Sequence, residues 1–295
     1  MRVSNNSITA RLLQQVQDSR ARLAHVQEQT GSGKKVNRPS DDPAATGRIM
    51  TMNTELELNE QYARNSNTAL SDLTVSEASL SNLADVLQRA SELAVQGSNG
   101  ALDGSARQQI ALEVSQLVTQ AIALGNTRSA GRYIFAGQKT DTQPFVPDSV
   151  ANPTVVTYAG DTNGVYREVS QGERLNTNIT GDRTFPGVIA DLISLRDHLR
   201  ANDANALQTD ADAMGTRLDE TLELRSEVGA KMNRVQTGIT RLEDEHTMLL
   251  TLVSNEQDVD LAQSIVELQA RETTLQAALG AAGRALNLSL LEFLR

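Results

Sequence analysis

The chain has 295 residues, a formal net charge of -10 and a pI near 4.9. It contains no cysteine and only 3% aromatic residues. Acidity without a basic block argues against nucleic acid and anionic membrane surfaces as partners, and the missing thiols exclude disulfides, cysteine-based zinc sites and thiol catalysis.

At roughly 100–200 residues per domain, the length allows two or three domains. With few aromatics the core must come from Leu, Val, Ile and Ala, which suits long helices with thin seams. No run approaches the ~18 apolar residues of a membrane-spanning helix. Residues 1–20 have no continuous apolar stretch, so a cleavable Sec signal is not expected.

Residues 8–30 predict an amphipathic helix. Leu12, Val16, Leu23 and Val26 alternate by four and three, with Ser19 in the remaining slot. Gly31 and Gly33 are stop signals. A polar turn follows, and Asp42-Pro43 is a start signal: the carboxylate accepts from orphan amides, and proline at the first position loses no needed hydrogen bond. From Pro43 to about Gly97 the pattern persists through Ile49, Met52, Leu56, Leu70, Leu73, Leu80 and Leu87, with polar slots at Asn59, Ser66, Glu77 and Ser91. A second helix carries Ile110, Val114, Leu117, Ala121 and Leu124, and stops near Gly125.

Residues 133–185 change character. Six of the eight aromatics and three of the six prolines lie there, with a fourth, Pro186, just after. The runs 155–159 and 165–169 read as strands, and Asn163-Gly164 between them predicts a hairpin. Helix returns near Pro186. Val228, Met232, Val235, Ile239, Leu242, His246, Leu249 and Val253 then keep uninterrupted heptads. After a polar break at 255–260, Leu261, Ile265, Leu268, Leu275, Leu279, Ala282 and Leu286 continue the pattern.

The expected fold is therefore mainly α with a β-rich insertion. The two chain ends form a long antiparallel helical bundle or coiled coil, with a small β domain at the tip. The expected divisions are 1–42 with 255–295 as a terminal coiled coil, 43–130 with 187–254 as a helical rod, and 131–186 as a β-rich outer domain. A two-stranded seam buries about two apolar residues in seven, each worth roughly 1.5–3 kcal/mol. Backbone ordering costs about 1–2 kcal/mol per residue, so one pair of terminal helices is marginal. Apolar residues beside the seam (Ile8, Leu13, Val266, Leu288, Leu290, Leu291, Phe293) offer surface to neighbours. The ends are expected to order only on assembly.

No chemistry-bearing constellation stands out. Gly31-Ser32-Gly33-Lys34 lacks the upstream glycine and the following Ser/Thr of a phosphate loop. Asp258 and Asp260 lack the remaining ligands of a calcium loop and read as capping residues. His25, His198 and His246 share no ligand spacing. No cofactor is expected. Lys34, Lys35 and Arg38 near Asp41 and Asp42 read as a solvated turn or as intersubunit charge pairs.

The stretch TGSGKKVNRPSDDPAA (30–45), with the heptads before it, resembles the flagellin superfamily. Arg38-Pro39-Ser40-Asp41-Asp42-Pro43 is similar to its hook-associated branch, as are GRYIFAG (131–137), 158–185 and the C-terminal 255–295. Lys34-Lys35-Val36-Asn37 departs from the family only in lacking Arg before the Val-Asn pair. The resemblance implies a non-enzymatic structural protein, exported unfolded by the flagellar type III apparatus to the cell exterior. It implies a ring of copies joining the first hook-associated protein to flagellin, and an export chaperone that docks on the C-terminal helix. Leu12, Val16, Leu23, Val26, Asn37, Asp41, Asp42, Leu261, Ile265, Leu268, Leu275, Leu279 and Leu286 would carry the interfaces. The rival readings are flagellin itself and a cytoplasmic coiled-coil binding module.

Overall fold

The computed structural model describes the backbone of residues 2–293 and the side chains of residue 7 and residues 10–284. Among these residues there are six α-helices: α1 (Arg2–Ser32), α2 (Pro43–Ser98), α3 (Gly104–Gly125), α4 (Phe185–Ala201), α5 (Ala204–Gln257) and α6 (Leu261–Phe293). Between α3 and α4 lie three antiparallel strand pairs. β1 (Arg128–Ser129) pairs with β2 (Arg132–Tyr133), β3 (Phe145–Pro147) with β4 (Val156–Tyr158), and β5 (Tyr166–Ser170) with β6 (Glu173–Asn176). The protein is thus mainly helical with a small β insertion, as the two periodicities predict.

The chain divides into two compact units, residues 1–58 with 245–295 and residues 59–244. In the second unit, α2 to α5 and the strand segments share one hydrophobic cluster. It includes Leu73, Leu80 and Leu87 of α2, Val114 and Ala121 of α3, Leu192 and Leu195 of α4, and Val228 and Val235 of α5. The aromatic residues of the β segment belong to that same cluster. Phe135 and Phe145 lie against Phe185 with ring centroids 4.8 and 5.2 Å apart, and Tyr158 sits 5.2 Å from Phe145. Gly125 and Gly181 pack so close to Phe145 that a Cβ on either would stand within 2.8 Å of the ring. The short strand pairs therefore bury their apolar faces against helices, which two isolated strands cannot do for themselves.

Helix ends are closed by local chemistry. Asp103 caps α3 by accepting from Ala106 N at 2.7 Å. The buried Arg107 donates to the carbonyls of Gly97 and Asn99 at 2.8 and 2.9 Å and to Asn202 Oδ1 at 2.5 Å. One guanidinium thus satisfies orphan carbonyls at the end of α2 and joins them to the left-handed cap of α4, Asn202 with φ 58°. Of the polar heptad slots, Asn59 is buried and donates to Leu242 O on α5 at 3.1 Å.

The strand pairing corrects one expectation. The runs around 155–159 and 165–169 do not form a hairpin; β4 pairs back to β3, and β5 pairs forward to β6. Neither Asn163 nor Gly164 takes the positive φ of a type I′ turn. Instead Asp161 Oδ1 accepts from Gln138 N and Asn163 N at 3.0 and 2.9 Å, which ties the connection to residues 137–138. The two-residue turn with positive φ at both positions is Ala130-Gly131, between β1 and β2.

Candidate assembly interface

The unit formed by residues 1–58 and 245–295 holds most residues singled out for assembly. Its centre is the meeting of the two polar breaks. Lys34 bridges Asp258 in antiparallel fashion. Lys35 N donates to Gln257 O at 2.7 Å, Val259 N to Gly33 O at 2.9 Å, and Lys35 Nζ to Asn255 O at 2.7 Å. Gly33, at φ 72°, provides the left-handed turn that ends α1, while Gly31 remains inside the helix.

The two adjacent aspartates do different work. Asp41 Oδ2 accepts from Arg38 N at 2.9 Å and from Asn37 N at 3.1 Å, closing the turn on itself. The Arg38 amide is the main reason that its carboxyl stays below the usual range. Asp42 Oδ1 caps α2, accepting from Ala44 N and Ala45 N at 3.0 and 2.9 Å, with Pro43 opening the helix as expected. Asn37 Nδ2 donates to Lys34 O, and the Arg38 guanidinium pairs with Glu28 at 2.9 Å. Under the turn, Val36, Ala45 and Ile49 form a small buried cluster with Met52 beside it. Arg48 and Glu256 form a two-pronged pair at 2.9 and 3.3 Å, and this hydrogen bonding raises the basic pKa and lowers the acidic one. A groove of about 600 Å³ between the start of α2 and the end of α5 is lined by Gly47, Thr51, Met52 and Leu252.

α1 and α6 pack antiparallel, with Thr30 Oγ1 and Ser264 Oγ 2.5 Å apart. On α1 the less exposed positions include Leu12, Val16, Ser19, Leu23 and Val26, the heptad read from the sequence, followed by Glu28, Gln29 and Thr30 near the helix end. On α6 they are Ser264, Leu268, Arg271, Leu275, Ala278 and Ala282. That corrects the expected α6 seam. Leu268, Leu275 and Ala282 are common to both registers, but Leu261, Ile265 and Leu279 are 52, 47 and 43% exposed. α1 covers the small and polar flank of α6 and leaves the bulky flank open. Val266, at 67%, and Leu13 of α1, at 53%, are open as well. Leu286 lies outside the described side chains. Asp260 Oδ1 accepts from Ala262 N and Gln263 N, so it caps α6 as its position suggests.

Among the described residues no group of three or more His, Cys, Asp or Glu is placed to hold a metal ion, and no helix is long and apolar enough to cross a membrane. The features that stand out are structural ones: interlocked breaks, capped helix starts and an uncovered apolar flank.

Comparison with known proteins defines the class. The family model of the bacterial flagellin N-terminal helical region matches residues 3–140, and that of the C-terminal helical region matches residues 211–294. Together they cover about three-quarters of the chain. The chain belongs to the flagellin superfamily. Within it the likeness falls on the hook-associated protein 3 branch. The flagellar hook-associated protein 3 of Escherichia coli K12 is 27% identical over 307 aligned residues, spanning 94% of this chain and 95% of the relative. The crystal structure of Bacillus cereus FlgL matches with a TM-score of 0.61 and 27% identity, covering 69% of this chain and 99% of that one. A flagellin of Listeria innocua is 23% identical, spanning 91% of this chain and 90% of the relative.

Proposed function

We propose that this chain is the junction protein between the hook and the flagellin filament, a non-catalytic adaptor that works by helical packing. The uncovered bulky flank of α6 carries the reading. α1 packs on Ser264, Arg271 and Ala278 while Leu261, Ile265 and Leu279 stay in water. Each of these large side chains is about half exposed, so a neighbouring helix that covered it would add roughly 1 kcal/mol. The neighbours are copies of this chain in a ring, the first hook-associated protein on one side and flagellin on the other. Leu12, Val16, Leu23, Val26, Leu268 and Leu275 hold the intramolecular seam, and Asn37, Asp41 and Asp42 fix the turn that sets its register.

Residues 1–42 with 255–295 act as a terminal coiled coil that orders fully on assembly, 43–130 with 187–254 act as a helical rod, and 131–186 act as a β-rich outer domain. The protein leaves the cell unfolded through the flagellar type III apparatus, with the C-terminal helix as the chaperone's docking site. Full chaperone affinity after deletion of 261–295 would refute that last element.

The test is the phenotype of cells lacking the chain. Intact hooks with flagellin spilled into the medium are expected, and normal swimming with attached filaments would overturn the reading. The second reading is a filament subunit, which the similarity to flagellins supports. Flagellin grows long filaments on seeds, and this chain is expected to grow none.

A further inference from the structure

One face of α5 stays open along most of its length in the 59–244 unit. The positions from 212 to 241 that lie on it recur at spacings of four and three, and all are exposed. Its charge reverses along the helix. Asp212, Asp219 and Glu223 come first, the small Ser226 and Ala230 follow, and Arg234 and Arg241 come last. On the other flanks of α5, Arg217 pairs with Asp191 and Glu220, Arg225 with Glu77, and Lys231 with Glu227. Asp212, Asp219 and Glu223 form no ion pair among the described residues. Arg234 and Arg241 share a single carboxylate, Glu173, at 2.6 and 3.9 Å. One end of the face is short of cations and the other is short of anions.

Exposed ion pairs contribute little one by one, and their pattern decides mainly which partner is met and in which direction. This pattern fits its own reverse. Let two α5 helices lie side by side in opposite directions, about a two-fold axis between residues 226 and 227. Asp212 then falls opposite Arg241, and Asp219 opposite Arg234. Glu223 falls opposite Ala230, one turn from Arg234, and no like charges on the face oppose each other. Glu227, beside the axis, already has Arg183 and Lys231. Ser226 and Ala230 sit near the middle, where small side chains let two helices approach. A parallel copy would match charges only after sliding until its Arg234 reached Asp212, and the other end of each face would stay unmet.

We propose that this face binds a second copy of the chain, antiparallel, with Asp212 and Asp219 of each copy meeting Arg241 and Arg234 of the other. Copies in a ring about one axis all run the same way, so this pairing belongs to the chain outside the ring and does not rest on the junction role. The experiment swaps charges on the full chain. Arg234→Glu with Arg241→Glu makes the whole face acidic, and Asp212→Arg with Asp219→Arg makes it basic. In sedimentation at low salt, the unsubstituted chain should form a weak dimer. Each double variant alone should be monomeric, and their mixture should dimerise. The dimer should weaken about tenfold as sodium chloride rises from about 20 to about 500 mM. Circular dichroism confirms the fold. Should a charge variant fail to fold, cross-linking carries the test. The chain has no cysteine of its own, so Ser226→Cys puts one thiol beside the axis, and a short bis-maleimide should join two such copies. Thr216→Cys should not link to itself but should link to Thr237→Cys, which falls opposite it. A monomeric unsubstituted chain, a salt-insensitive dimer, a mixture that stays monomeric, self-linkage of Thr216→Cys, or no linkage through Ser226→Cys would each overturn the proposal.

Discussion

Residues 59–244 bury Leu73, Leu83, Leu87, Val114, Leu192 and Leu195 completely, in a cluster fed by four helices and an aromatic group. Among the described side chains of 1–58 and 245–295, nothing larger than alanine is less than 5% exposed. One unit excludes water from a three-dimensional core, and the other closes along thin seams. A seam in which Ser19, Thr30, Ser264 and Arg271 occupy core positions gains little from burial. Stability in the first region is a property of the chain, whereas under the proposed role the second gains from what covers its outer flank.

The difference between the two units rests most heavily on the aromatic group. Phe145→Ala is expected to lower the stability of the 59–244 transition by about 3–5 kcal/mol, read by denaturant unfolding. A loss under about 1 kcal/mol would mean that the rings fill space without carrying the core. Arg107→Met comes next. It strands the carbonyls of Gly97 and Asn99, and about 2–3 kcal/mol should be lost in the same measurement.

Ala130 holds a left-handed conformation, φ 47°, that suits Asn or Gly better. Ala130→Asn should therefore raise stability by about 1 kcal/mol, seen as a higher denaturant midpoint. Val26→Ser in the α1 seam should move the main transition by less than about 0.5 kcal/mol in the dilute chain. Amide exchange over residues 8–30 sharpens this point: weak protection in dilute protein and strong protection in assembled flagella are expected. Strong protection in the dilute monomer would put the two units on an equal footing.

The smallest effects are those of pH. Burial pushes the Tyr158 phenol up to about 12, and its hydroxyl lies 2.9 Å from the carbonyls of Phe135 and Asp161. The folded state favours the protonated form, so this contribution is complete below pH 10 and fades as pH rises toward 12. Asp148 has the opposite sign. Hydrogen bonds from Thr154 Oγ1 and from the amides of Thr154 and Val155 hold its carboxyl at about 2. Order in the 148–155 loop, followed by NMR, should persist below pH 4 and fail as pH approaches 2.

Much of this was legible before any tertiary contact was known, and the misses share a cause. The α1 heptad, the start of α2 at Asp42-Pro43, the breaks at 31–42 and 255–260 and the family resemblance all rest on residues close together in the chain. On α6 the heptad Leu261, Ile265, Leu268, Leu275, Leu279 and Ala282 read as one stripe, because four-three spacing does not say which of its positions a given partner covers. Asn163-Gly164 looked like a hairpin because turn preference is local, whereas pairing depends on distant neighbours.

The helical class, the β-rich interruption, the capped helix starts and the α1 seam follow from local residue patterns alone. Periodicity and capping depend on side chains within a turn or two of one another. Which flank of α6 meets α1, which strands pair, and the joining of Phe135, Phe145 and Phe185 to the helical core are fixed by long-range packing. Those outcomes are set by competition between segments far apart in the chain for the same buried space.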